Sequence, residues 1–86
     1  MKKKKLHPNA FMPGLNAKQA RMMNFIADYI EANEEAPTLR EIRDGLGYSK
    51  KSVNPVHHHL KSLEKAGYIV REKYIERSIQ IVIDTF

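Results

Sequence analysis

Apolar residues along the chain fall into three stretches of helical spacing followed by one of strand spacing. Met22, Phe25, Ile26, Tyr29 and Ile30 recur at intervals of three and four, with Lys18, Arg21, Asp28 and Glu31 on the other faces, which is the period of an amphipathic helix. Asn16 and Gln19 form a capping box in front of it, so a helix is predicted over 17–33. Asn33-Glu34-Glu35-Ala36-Pro37 ends that helix, because the residue before a proline is pushed out of the helical region. Thr38 and Glu41 make a second capping box ahead of Leu39, Ile42 and Leu46, predicting a short helix over 39–46 stopped by Gly47 in the left-handed C′ position. Gly45 inside it costs up to ~1 kcal/mol relative to Ala, a cost that close helix packing would explain.

The polar stretch Tyr48-Ser49-Lys50-Lys51 leads to a third helix that begins between Ser52 and Pro55, since proline fits a first helical turn. Val53, Val56, Leu60 and Leu63 mark its inward face, and Ala66-Gly67 supplies the stop. Ile79, Ile81 and Ile83 then alternate with Ser78, Gln80 and Asp84, the period of a half-buried strand. Tyr68 to Glu72 is its expected antiparallel partner. The connector, about 73–77, has no Gly, Asn or Asp, so a protruding loop is expected rather than a two-residue turn.

The predicted fold class is mostly α with a small β-hairpin: three helices plus a two-stranded wing, a winged helix-turn-helix. In that arrangement the helix after the glycine-containing connector can lie in a DNA major groove. Residues 15–86 form the expected domain. Residues 1–14, with two prolines and no periodic pattern, read as a flexible basic arm.

Length and charge narrow the field. Eighty-six residues make one small domain. The absence of Cys removes disulfides, thiolate zinc sites and cysteine nucleophiles, and suits a cytoplasmic setting. No apolar run approaches the ~20 residues needed to cross a bilayer, so no membrane role is expected. The net charge of +5 is unevenly placed: +4 in residues 1–14, −2 in 15–47 and +3 in 48–86. That pattern suggests a polyanionic partner.

The stretch LNAKQARMMNFIADYIEANEEAPTLREIRDGLGY is similar to the N-terminal DNA-binding domain of the LexA family of SOS repressors. Leu15, Gln19, Phe25, Ile26 and Ile30 carry the resemblance, with Pro37, Thr38, Glu41 and Ile42, then Leu46 and Gly47. It continues through VHHHLKSLEKAGYI, with Val56, His59, Leu60, Leu63, Gly67 and Ile69, and closes on ERSIQI around Arg77 and Ile79. Three features depart from the family pattern. The connector SKKSVNP is two residues longer than the family's usual turn, and the Lys-rich arm is additional. Family repressors also continue into a dimerising, self-cleaving domain, which nothing after Phe86 supplies. The resemblance therefore implies a sequence-specific, double-stranded DNA-binding repressor acting by operator occupancy, without autoproteolysis by this chain. Phe86 directly follows the last predicted strand, which favours a self-contained protein, with a fragment of a longer regulator as the open alternative.

With Val56, Leu60 and Leu63 facing the core, Ser52, Asn54, His57 and His58 face outward, and they match the base-contacting part of the family's recognition helix. Asn can pair with adenine, and His or Ser can donate to guanine. Asn54 and Ser52 are open to a second reading as helix caps, and His59 reads as a partly buried structural residue. Expected phosphate contacts are Arg40, Lys50, Lys51, Lys61, Lys73 and Arg77, against the alternative of solvated surface charge. His57, His58 and His59 point about 100° apart on a helix, which does not suit zinc. No metal, cofactor or catalytic group is expected, and the chain does not read as an enzyme. One module buries only about 600–1,000 Å² on DNA, so weak homodimer pairing on a palindromic site is expected. The alternative is a small winged-helix protein-interaction module that antagonises a host regulator or polymerase through exposed Tyr74 and Ile75.

Overall fold

A computed structural model describes residues 14–51, 53–73 and 75–82, the Val53 side chain excepted. The elements run α1 (Ala17–Asn33), α2 (Leu39–Gly45), α3 (Val53–Lys65), β1 (Ile69–Val70) and β2 (Gln80–Ile81). Three helices and an antiparallel two-stranded hairpin form a winged helix-turn-helix. Residues 1–13 of the basic arm, with Ser52, Tyr74, Ile83 and Asp84, all named from the sequence, lie outside the described residues.

Both capping boxes are made. Gln19 N–H donates to Asn16 Oδ1 at 2.8 Å and Asn16 N–H to Gln19 Oε1 at 3.1 Å. Glu41 N–H donates to Thr38 Oγ1 at 3.1 Å and Thr38 N–H to Glu41 Oε1 at 2.9 Å. Each pair satisfies donors that a helix start otherwise leaves without a partner.

The later helix ends are equally local. Gly47, at φ +83, lets Tyr48 N–H reach the Arg43 carbonyl at 3.0 Å while its own N–H meets Asp44 O at 3.2 Å. Gly67, at φ +89, repeats the pattern, with Tyr68 N–H on Leu63 O and Gly67 N–H on Glu64 O, both at 3.0 Å. These are Schellman closures, which need the left-handed conformation that glycine adopts without a Cβ penalty. α1 ends on Glu34, a left-handed non-glycine residue at φ 59.

The core forms where these elements meet. Met22, Met23 and Ile26 of α1, Ile42 of α2 and Leu46 after it, Val56, Leu60 and Leu63 of α3, and Ile69 and Ile79 of the wing are buried together. Complete burial of one such side chain contributes about 1.5–3 kcal/mol. On α1 the buried stripe is rotated from the expected one: Met23 and Ala27 are buried, while Phe25, Tyr29 and Ile30 are half-buried. The reason lies across the interface. A Cβ on Gly45 would fall on the Phe25 ring, so α2 packs its bare backbone against that aromatic face.

The strands are shorter than the alternation suggests. Among the described residues they pair Ile69 with Ile81 and Val70 with Gln80, and Val82 N–H donates to Tyr68 O at 2.9 Å. Beyond that ladder, Ser78 Oγ accepts from Glu72 N–H at 3.0 Å and donates to Glu72 O at 3.2 Å, which replaces backbone pairing with a side-chain bridge. Arg77, at φ 58, turns the chain out of the extended conformation.

Candidate nucleic-acid interface

α3 has two unlike faces because its sequence alternates apolar and polar residues at helical spacing. Val56, Leu60 and Leu63 are fully buried, whereas Asn54, His57, His58 and Lys61 are exposed. The helix starts at Val53, so Asn54 lies inside its first turn and is not its cap. Pro55 occupies that same turn, where its missing N–H leaves no intrahelical bond unmade.

His59 is half-buried between the two faces, and its Nδ1 is buried without a hydrogen-bond partner. Burial lowers its pKa below the usual 6.5, assisted by His58 and Lys18. The His58 and His59 rings lie 5.8 Å apart. Among the described residues no group of three His, Asp or Glu side chains gathers to hold a metal ion.

Seven residues, 46–52, separate α2 from α3. This longer turn is fastened at both ends. Arg21 of α1 donates to Leu46 O at 3.1 Å, and Arg43 donates to Lys50 O at 3.2 Å and to Asp44 at 2.9 Å. The Arg43 hydrogen bond lowers the Asp44 pKa. Lys50 and Lys51 are exposed along this turn, just ahead of α3.

A groove of about 940 Å³ separates α3 from the wing. His57 and Lys61 stand on its α3 side, Lys73 and Ile75 on its wing side, and Arg40 at the start of α2. Arg71 also borders it but is paired with Glu64 of α3 at 3.2 Å. Glu72 and Glu76 also line the wing side, so the groove carries charges of both signs, and Arg40, Lys61 and Lys73 are the cations in it that a polyanionic backbone could meet.

Arg77 is placed differently from the other expected phosphate contacts. Its guanidinium is committed to the protein, with both terminal nitrogens 3.0 Å from the two carboxylate oxygens of Glu41. That fork, and after it the Thr38 amide, hold the Glu41 carboxyl down to about 2. The same pairing raises the Arg77 pKa. That pairing competes with the phosphate contact expected of Arg77. Glu41 carries no mark of this second partner in the local sequence, since its spacing from Thr38 already explains it as a capping residue.

The family model described as the LexA DNA binding domain matches residues 12–78. Curated relatives agree. The chain is 39% identical over 70 residues to the LexA repressor of Carboxydothermus hydrogenoformans, covering 81% of this chain and 33% of that protein. It is 38% identical over 73 residues to the LexA repressor of an Exiguobacterium species, covering 85% and 34%. With the LexA repressor of Caldicellulosiruptor saccharolyticus it shares 42% over 72 residues, covering 84% and 35%. The chain thus spans about one third of the length of the curated relatives it matches. The matched span takes in all three helices and β1, and the chain belongs to the LexA DNA-binding-domain family.

Proposed function

We propose that the protein binds a specific duplex site and represses transcription by occupying it. The observation that carries this reading is α3 itself, with one face sealed in the core and the other presenting Asn54, His57 and His58 beside a groove that Arg40, Lys61 and Lys73 border. Asn54, His57 and His58, with Ser52 just before them in the sequence, read base edges through hydrogen bonds. Arg40, Lys50, Lys51, Lys61 and Lys73 hold the phosphates and set the register. Kinship with LexA repressors supports the repressor role. Two copies pair weakly on a palindromic site, because one module of this size grips DNA weakly. The cytoplasmic setting expected from the lack of Cys belongs to the same proposal.

Selection of bound sites from randomised duplexes tests the reading and returns half-site symmetry directly. On the selected site, His57→Ala with His58→Ala should weaken binding by about 1–3 kcal/mol for each base that the imidazoles recognise, and relax the preference there. Unchanged affinity and preference would remove both histidines from the interface. Binding should also fall steeply with salt, by about 0.9 log units per log unit of salt for each phosphate held. Deleting Lys2 to Lys5 should flatten that slope if the arm touches DNA.

A second reading is favoured by Ile75, an apolar side chain 56% exposed on the wing. It suits a module that docks on a regulator or polymerase. Failure to select any sequence at moderate salt would favour it.

A further inference from the structure

Arg77 performs a task at the root of the wing that a phosphate contact would not require. Its left-handed backbone, φ 58, costs a non-glycine residue about 1–2 kcal/mol, and such conformations persist where the surroundings over-determine them. Here the surroundings are three separate parts of the fold. The fork on Glu41 reaches the first turn of α2, and Nη1 also donates to Ala36 O at 3.0 Å. Tyr29 Oη of α1 and a Glu35 carboxylate oxygen both lie 3.4 Å from Nη1.

Ile69 and Ile79 seat the base of the wing in the core, and beyond them the described residues show few other ties from the wing to the helices. The wing's ladder is two residue pairs, and the Glu72–Ser78 bridge ties the loop only to itself. Arg71, after β1, grips Glu64 of α3, while Arg77, before β2, grips α2 on the other side. Each root of the wing is therefore fastened by an arginine to a different helix.

We propose that Arg77 is a positioning residue for the wing: its fork sets the distance between Lys73 and α3, so that both walls of the groove meet one duplex. This rests on the DNA-binding reading above. A planar guanidinium suits the task because it engages both carboxylate oxygens and fixes an angle as well as a charge. A lysine would keep the charge and lose the angle.

Two measurements test the proposal, one of them without DNA. In the free protein, amide hydrogen exchange at Glu72 and Ile75 should quicken about tenfold in Arg77→Gln and Arg77→Lys, the change expected when a charged hydrogen bond is removed. Exchange in α1 and α3 should stay as it was, which also reports that the variants fold. Glu41→Gln should loosen the wing in the same way while leaving Arg77 in place. Wing exchange unchanged in these variants overturns the proposal. On a selected duplex, Lys73→Ala should lower the salt slope by about 1 in the otherwise unaltered chain and leave it unaltered in the Arg77→Gln background. An equal reduction in both backgrounds overturns the positioning role. A chain that binds no duplex removes the DNA-binding reading alone, since the exchange measurement still decides the clamp.

Discussion

Single side chains in this molecule do work that their local sequence only half discloses. Glu41 caps its own helix and also receives Arg77, and the paired oxygens keep it ionised down to about 2. Burial pushes the His59 imidazole below its usual range. Acid should therefore destabilise the fold in two stages. Below pH 6.5 the unfolded chain gains a proton at His59 that the folded chain resists, so stability falls as pH drops. Between pH 4.5 and about 2 the unfolded chain takes up a proton that Glu41 refuses, and stability falls again. Denaturant midpoints measured against pH should lose the first stage in His59→Gln and shrink the second in Glu41→Gln, the remainder belonging to Asp44, whose pKa Arg43 also lowers. The capping role of Glu41 is readable from a spacing of three residues. Its link to Arg77 joins residues 36 positions apart, which no local pattern encodes.

Among the elements, legibility follows the range of the determining contacts. α1 is predicted over the residues it occupies because both of its boundaries are local, a capping box before it and a proline-directed break after it. Gly47 closes α2 as expected, although the helix ends at Gly45 and Leu46 already serves as its cap. At the loop end the strands are over-read because alternation shows which face is buried but not where pairing stops. Ser78 and Arg77 decide that point through contacts outside the ladder. The outward side of α3 is legible for the same reason as its core side, since one helical period sets both.

Gly45 shows tertiary packing overriding local preference. In an exposed helix Gly→Ala gains up to ~1 kcal/mol, but here the added methyl would meet the Phe25 ring. Gly45→Ala should instead destabilise by about 1–3 kcal/mol through overpacking. Each kcal/mol lowers Tm by about 4–8 °C in a domain of this size. Combining it with Phe25→Leu should recover much of that stability, and thermal melts of the single and double variants check this.

At the scale of the molecule, helix ends that are closed by their own neighbours have a kinetic consequence. Two capping boxes and two Schellman closures draw on residues no more than five apart, so the helices can form before distant contacts exist. The wing lies at the C-terminal end of the described chain and leaves the ribosome after the three helices. It then closes onto a platform already standing, and its arginine fastenings belong to the late side of the folding barrier. Arg77→Gln should accordingly speed unfolding while leaving the folding rate nearly unchanged, which the two arms of a denaturant chevron read separately. The hairpin thus governs how long the domain stays folded more than how quickly it folds.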